Sequence, residues 1–254
     1  MTKYALCVGN NYPGTSSELS GCVNDANDWA ELLGREGYQV TQLIEATKHQ
    51  TVVELTRLLS TARRNDRVVL TYSGHGSWVP DRSGDETDGR DECLVMTDYE
   101  NGGLLLDDEL HEIFASSVSG VGGLILSDSC HSGTVLRRFK AVPSTGTPRY
   151  LSPTQFLDLS EQEVDRREET VTPTPPRNPS SLISGCQDVE YSYDAWFGGR
   201  ANGAFSRAAI DTYQSGASMA AWYRAICTVL PSDDYPQTPQ LTAKNTYRRY
   251  ADAL

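Results

Sequence analysis

The stretch VGGLILSDSCHSGT, residues 121–134, joins an apolar run to a polar turn that carries a cysteine. Residues 121–127 have the composition of a buried strand, and Cys130 follows the point where that strand should end. A second run of this kind, RVVLTY at 67–72, leads into a turn in which His75 lies between two glycines. Two buried strands that both end in reactive side chains predict a site at one edge of a sheet.

Outward from these two strands, apolar runs alternate with segments of helical spacing. Strands that alternate with helices favour an α/β fold with a mainly parallel sheet covered on both faces. The loops of Cys130 and His75 should then meet if their strands are neighbours. The predicted strands are residues 3–9, 38–44, 67–72, 121–127, 181–187 and 240–243. The predicted helices are residues 24–35, 51–64, 203–213 and 218–229, and a further one within 104–118 that begins at Asp107 or Asp108.

The overall composition excludes several classes of protein. The 254 residues carry 22 Lys and Arg against 34 Asp and Glu, a net charge of −12, which argues against a partner that is a nucleic acid. No stretch approaches the roughly 20 apolar residues of a membrane span. The first residues, MTKYALCVG, lack the pattern of a signal peptide, so we expect a cytoplasmic protein without a membrane partner.

The composition changes between residues 137 and 180, which hold seven of the twelve prolines and many charges. Segments of this kind are typical of extended connections, so we predict a long, partly flexible linker there. The linker separates residues 1–136, which contain both reactive loops, from residues 181–254, and we expect the two parts to form one domain.

Cys130 and His75 are the candidate nucleophile and its partner. A thiolate is reactive at neutral pH when a base or a cation lies nearby. His131 is a rival partner, but adjacent side chains in extended backbone point to opposite sides, which favours His75. The structural alternative is a small buried thiol and a satisfied histidine. The six cysteines are scattered without a CxxC pair, which argues against a structural zinc site.

Eight sequence blocks span nearly the whole chain. They are GCVNDA at 21–26, YSGHGS at 72–77, DETDGRDE at 85–92, LLDDEL at 105–110, SDSCHSGT at 127–134, SGCQDVEYSYDA at 184–195, GAFS at 203–206 and QTPQLT at 237–242. In this order they resemble the blocks of the metacaspases, a family of caspase-like cysteine peptidases. The compact length is most similar to that of prokaryotic metacaspases, the orthocaspases, and the animal-caspase signature QAC[RQG]G is absent.

The resemblance implies a caspase-like three-layer α/β/α sandwich and a cysteine endopeptidase that cleaves after Arg or Lys. Cys130 would attack the peptide carbonyl to form a thioester acyl-enzyme, and His75 would act as acid and base. The amides of Gly76 and Cys130 would form the oxyanion hole. The implied partners are proteins or peptides with Arg or Lys before the cleaved bond, and family analogy implies a monomer.

The resemblance also assigns a pocket for the basic side chain, the S1 pocket. Its two carboxylates would pair with a guanidinium or an ammonium group. The residues alone leave other roles open, because Asp25 could be a helix cap and Asp128 an ordinary loop carboxylate. The implied pocket residues are Cys22, Asp25, Ser73 and Asp128.

No cofactor is implied as a requirement, but many metacaspases are activated by Ca²⁺. Asp91, Asp107 and Asp108 match three of the acidic positions that bind it, in a segment, residues 81–112, with twelve acidic residues and two arginines. A further acidic position of the family is occupied by Arg137, a cation that would repel the metal. We therefore predict weak or absent calcium dependence. The alternative role of Asp107 and Asp108 is to complement a helix dipole.

Arginines of the predicted linker are candidate sites of self-cleavage, because the implied specificity would recognise them. The alternative is a solvated spacer with no such role. The roles of Asp188, Glu190 and Asp194, which lie in the block at 184–195, stay open. The candidate sites are Arg137, Arg138, Arg149, Arg166, Arg167 and Arg177.

Two rival functions compete with this interpretation. The first is a caspase-fold peptidase that cleaves after acidic residues, which would need an arginine-lined pocket where Asp25 and Asp128 are expected. The second is a non-catalytic caspase-like module that binds partners or Ca²⁺, for which the retention of both His75 and Cys130 would have no purpose.

Overall fold

The central element is a six-stranded sheet, mostly parallel, with one antiparallel strand at its edge. The structure is a computed structural model, and it describes residues 1–81, 89–130, 146–160, 163–164, 180–187, 190–243 and 252–254. The strands are β1 (Lys3–Gly9), β2 (Gln39–Ile44), β3 (Arg67–Ser73), β7 (Gly122–Asp128), β9 (Ser181–Ser184) and β12 (Gln240–Thr242). Their spatial order is β12-β9-β7-β3-β1-β2, and only the β9–β12 pair among these is antiparallel.

Helices cover both faces of this sheet. Three helices bury Trp29, Phe205 and Trp222 against one face. Two others bury side chains such as Leu55 and Phe114 against the opposite face. The predicted three-layer α/β/α sandwich is therefore confirmed. The first group is α1 (Cys22–Arg35), α4 (Ala204–Thr212) and α5 (Met219–Ile226), and the second is α2 (Lys48–Thr61) and α3 (Asp107–Ala115).

Two small antiparallel sheets were not predicted. One contains β4 (Gly76–Pro80), β5 (Arg90–Val95) and β6 (Leu104–Leu106), and the other contains β8 (Gly146–Pro148), β10 (Tyr193–Phe197) and β11 (Arg200–Gly203). The helix predicted within residues 104–118 runs from Asp107 to Ala115, so its predicted start at Asp107 or Asp108 is confirmed, and the three leucines before it pair with β5. An apolar run this short fits a strand and a helix equally well.

Part of the predicted linker lies against the domain. β8 pairs with β10, and Leu151 and Pro153 are buried. The rest of the linker, residues 137–145, 161–162 and 165–179, lies outside the described residues. No helix in the described part of the chain is long and apolar enough to cross a membrane.

Candidate active site

Neighbouring strands bring the His75 and Cys130 loops together. β3 and β7 are paired in parallel, with Ser73 opposite Asp128 at their carboxyl ends. His75 and Cys130 each follow two residues later. The backbones of the two loops then pack so closely that a Cβ atom on Gly76 would overlap the Cys130 carbonyl oxygen. A glycine is therefore required at position 76.

His75 is buried, and its surroundings define its tautomer. Its Nε2 atom lies 2.7 Å from the Ser17 carbonyl oxygen, which can only accept a hydrogen bond. Nε2 therefore carries the hydrogen and Nδ1 is the basic nitrogen, which has no hydrogen-bond partner among the described residues. Burial lowers the pKa of His75 to about 4, although the bond to Ser17 opposes this shift. The Tyr12 ring lies on the imidazole at 4.9 Å between centroids.

Cys130 is fully buried, and its sulfur lies against the backbone of Ser192. The Ser192 amide is 2.6 Å from Sγ, and Sγ is 3.3 Å from the Ser192 carbonyl oxygen. Residue 192 immediately precedes β10, so the unpredicted β10–β11 hairpin positions the candidate nucleophile. The rival partner His131 lies outside the described residues.

The predicted pocket residues surround one buried acidic cavity, and a third carboxylate joins them. Asp25 and Asp128 are fully buried, and Asp194 from β10 is nearly so. Ser73 approaches Ser206 at 3.4 Å between hydroxyl oxygens. Sequence reasoning left the role of Asp194 open, because its approach depends on the β10–β11 hairpin.

Each of these carboxylates is already held by the protein. Asp25 does not cap its own helix. It accepts hydrogen bonds from the Asn202 side chain and the Gly203 amide at 2.8 and 3.0 Å. Asp128 accepts from the Ser206 amide at 2.8 Å and from the Ser192 hydroxyl at 2.5 Å. Asp194 accepts from the amides of Ser20 and Gly21 at 2.8 and 2.9 Å.

Arg149, one of the six candidate cleavage sites, fills this pocket. Its Nη2 atom lies 2.7 Å from Asp25 and 2.9 Å from Asp194, and its Nη1 atom lies 3.1 Å from Asp128. The side chain is 0% exposed. A Cβ atom on Gly203 would overlap the Asp128 carboxylate and the Arg149 guanidinium, so a side chain there would displace this buried ion pair.

Burial and charge oppose each other in the pocket. Burial disfavours the charged guanidinium, but the carboxylates around it, with Asp128 the largest contributor, raise the pKa of Arg149 well above its ordinary value. Burial raises the pKa of Asp25 to about 6, although Arg149 opposes this. It also raises the pKa of Cys22 well above its ordinary value, so this predicted pocket residue stays a neutral thiol in the wall.

The backbone of Arg149 lies between the two amides predicted for the oxyanion hole. Its carbonyl oxygen accepts hydrogen bonds from Gly76 at 3.0 Å and Cys130 at 3.1 Å. Its own amide donates to the Ser192 carbonyl at 2.9 Å. Residues 146–151, here named the bound segment, thus cross the site as an extended strand that pairs first with β10 and then with β4.

The predicted calcium residues lie beside this region, in β5 and α3. Asp91 is in β5, and Asp107 and Asp108 are in the first turn of α3. Among the described residues, no group of three His, Cys, Asp or Glu side chains is arranged to hold a metal ion. Arg137 lies outside the described residues. The weak or absent calcium dependence stays a prediction.

Comparison with known proteins identifies the family of the chain. A family model for the caspase domain matches residues 2–250. Metacaspase-1B from Aspergillus oryzae is 31% identical over an alignment that covers 95% of this chain and 67% of that protein. A crystal structure of a protein from Geobacter sulfurreducens superposes with a TM-score of 0.73 at 28% identity and covers 100% of this chain and 98% of its own.

A more distant structure shares the fold alone. Caspase-1 from Spodoptera frugiperda has a TM-score of 0.58 at 11% identity, over 95% of this chain and 86% of that one. The chain spans 54% to 70% of the length of the metacaspases compared with it. Because the caspase-domain model matches almost every residue and a metacaspase reaches 31% identity, this chain belongs to the caspase-like family of cysteine peptidases, in which its curated relatives are metacaspases.

Proposed function

We propose that this chain is a cysteine endopeptidase that cleaves after Arg or Lys, and that the Arg149–Tyr150 bond is its own internal substrate. One observation carries the proposal. The Arg149 side chain lies among three carboxylates, and the Arg149 carbonyl oxygen accepts hydrogen bonds from the amides of Gly76 and Cys130. A substrate with a basic residue before the cleaved bond would bind in the same way.

The chemistry follows from this arrangement. The Cys130 sulfur attacks the Arg149 carbonyl carbon, and the carbonyl oxygen becomes an oxyanion that the amides of Gly76 and Cys130 stabilise. His75 takes the thiol proton on Nδ1 and gives it to the Tyr150 nitrogen as the peptide bond breaks. A water molecule, deprotonated by His75, then hydrolyses the thioester at Arg149, which regenerates the thiol and leaves a carboxylate.

The charge of the pocket sets the expected specificity. Three carboxylates around one guanidinium would repel an aspartate side chain, which disfavours cleavage after acidic residues. Arginine offers two terminal nitrogens to these carboxylates, and lysine offers a single ammonium group. We therefore expect faster cleavage after Arg than after Lys.

The test compares the full chain with Cys130→Ala. The parent protein should cut itself between residues 149 and 150, as read by intact-mass spectrometry, and should hydrolyse fluorogenic peptides that end in Arg or Lys but not in Asp. Cys130→Ala should do neither, with or without added Ca²⁺. Cys227→Ala, which removes an exposed free cysteine, is the matched control and should behave as the parent.

The outcomes separate the rival functions. The proposal fails if the parent neither cuts itself nor hydrolyses Arg and Lys peptides faster than Cys130→Ala. A chain that stays uncut between residues 149 and 150 would then favour the non-catalytic module. Cleavage at the other linker arginines, which lie outside the described residues, stays a prediction, as do the monomeric state and the cytoplasmic location.

A further inference from the structure

The bound segment buries side chains in alternation. Arg149 and Leu151 are 0% and 1% exposed. Thr147 is exposed, and Pro148 and Tyr150 are half-buried. In an extended strand, successive side chains point to opposite sides, so one side of this segment faces the protein. The two buried positions flank the Arg149–Tyr150 bond, and the first of them is the basic side chain in the acidic pocket.

The backbone after the Arg149–Tyr150 bond is hydrogen-bonded to the protein, as is the backbone before it. The Leu151 amide donates to the Gly76 carbonyl at 3.0 Å. The hydroxyl of the buried Ser77 donates to the Leu151 carbonyl at 2.7 Å. Tyr150 pairs with Gly76 as a parallel bridge. These contacts involve backbone atoms of the segment, so any peptide that follows the same path can make them.

The Leu151 side chain enters a second pocket, which is apolar. It packs in one buried cluster whose other members, all at most 5% exposed, are Tyr12, Leu19, Cys22, Val95 and Tyr99. The Tyr12 hydroxyl is already engaged, because it donates to the Val95 carbonyl at 2.6 Å. A charged side chain would lose its hydration there without gaining a partner from these walls, which is unfavourable.

We propose that this pocket is a substrate subsite, S2′, which selects a leucine-like side chain at the second residue after the cleaved bond. The proposal rests on the proposed function, because it assumes that substrates follow the path of the bound segment. The enzyme then recognises two side chains of a protein substrate: a basic one before the cleaved bond and an apolar one two residues later.

The test uses full-length protein in which the resident side chains are removed, Arg149→Ala/Leu151→Ser, and internally quenched octapeptides. The parent peptide is GTPRYLSP, the sequence of residues 146–153. Changing its leucine to alanine should lower kcat/KM by about 10- to 100-fold, and changing it to aspartate should lower kcat/KM further. Changing its threonine, which corresponds to the exposed Thr147, to aspartate should alter kcat/KM by less than about 2-fold.

A pocket variant provides a reciprocal test. Leu19→Lys, added to the double variant, should narrow or reverse the preference for leucine over aspartate, because the new ammonium group would pair with the carboxylate. Leu159→Ser, which lies outside the bound segment, is the control and should leave the preference unchanged. If the double variant does not fold, self-cleavage of otherwise unchanged chains should be faster with Leu151→Met than with Leu151→Asp.

The results distinguish the two proposals. Equal kcat/KM for the leucine, alanine and aspartate peptides overturns the subsite and leaves the proposed function intact. If no peptide is cleaved and the parent chain does not cut itself, the proposed function fails. Binding of the same peptides to Cys130→Ala/Arg149→Ala/Leu151→Ser then decides the subsite, since equal affinities for the leucine and aspartate peptides overturn it as well.

Discussion

The pockets of Arg149 and Leu151 lie two residues apart on one strand, yet they are built from opposite materials. The Arg149 pocket consists of three carboxylates, each already held by amides, hydroxyls or an asparagine side chain. The Leu151 pocket consists of tyrosine rings and aliphatic side chains. The negative charge of the first must be balanced by a cation or by protons, because its carboxylates are removed from water, whereas the second gains stability in proportion to the apolar surface that its occupant buries.

The acidic pocket holds more negative charge than its occupant can balance. One guanidinium faces three carboxylates, and burial raises the pKa of Asp25 to about 6 even with Arg149 present. Removal of Arg149 would take away the interaction that lowers this pKa, so Asp25 should then bind a proton at still higher pH. The pocket therefore has two ways to relieve its charge: it can bind a basic side chain or take up protons.

The largest expected effect comes from emptying the acidic pocket. Arg149→Ala, made in Cys130→Ala so that self-cleavage does not interfere, should lower the free energy of unfolding by about 3–5 kcal/mol near pH 8, because it leaves buried carboxylates without their cation. The loss should shrink toward pH 5 as Asp25 takes up a proton. Urea denaturation at the two pH values measures both quantities.

The same variant allows a direct test of the charged pocket by rescue. Millimolar methylguanidinium should raise the melting temperature of Arg149→Ala and leave that of the Cys130→Ala parent unchanged, because ligands stabilise only the state that binds them. Leu151→Ala in the same background is the contrasting control, since an apolar cavity offers the ion no partner. A loss below about 1 kcal/mol without rescue would contradict a pocket that requires a cation.

The sequence predicted the framework of the fold. Long apolar runs and helical spacing located the parallel strands and the helices that cover them, because each of these patterns is visible within a single segment. The pocket carboxylates Asp25 and Asp128 were assigned through the resemblance to metacaspase blocks and not through a local pattern, and their role as a substrate pocket stays a prediction.

What the sequence left open depends on distant segments that meet. Asp194 and Ser192 reach the site through the β10–β11 hairpin, whose short strands carry no long apolar run. Arg149 was one of six linker arginines, and nothing in its neighbours distinguished it from the others. Leu151 has no charged or reactive atom that would indicate a functional role in the sequence. Its position in a pocket depends on the pairing of β4 with the bound segment.

An intermediate effect is expected at His75, which lies between the two pockets. Its pKa is about 4 in the folded state, against an ordinary value of 6.5. Between these two pH values, His75 is therefore protonated in the unfolded chain and neutral in the folded chain. Stability from this group is fully present above about pH 6.5 and is lost as the pH falls toward 4. Asp25 has the opposite slope but is common to both proteins compared, so its contribution cancels.

The measurement is the difference in unfolding free energy between Cys130→Ala and Cys130→Ala/His75→Gln. From pH 7 to pH 4.5 the variant that keeps His75 should lose about 2 to 3 kcal/mol more than the glutamine variant. His49→Gln, at an exposed helix position, controls for the loss of a histidine as such. A parallel pH dependence in the two main proteins would contradict the burial of His75 and its lowered pKa.

The smallest effect is expected from an Arg–Asp pair on the rim of the acidic pocket. Arg200 meets both carboxylate oxygens of Asp28 at 2.5 and 2.8 Å, distances similar to the 2.7 to 3.1 Å of Arg149, but the two side chains are 43% and 24% exposed. Arg200→Ala should therefore cost less than about 1 kcal/mol, because solvent screens an exposed pair and hydrates the carboxylate that is left.

This rim pair tests whether burial, and not the length of the contacts, explains the difference in stability loss expected for Arg200→Ala and Arg149→Ala. Arg200 also touches Asn202, which donates to Asp25, so the rim is joined to the buried pocket by one side chain. The cost of Arg200→Ala should fall further in 0.5 M salt, whereas the cost of Arg149→Ala should change little, since buried pairs are screened much less. If salt lowered the stability loss of both variants equally, water and ions must reach the acidic pocket. Its preference for a cation would then have to come from long-range charge instead of from three desolvated carboxylates.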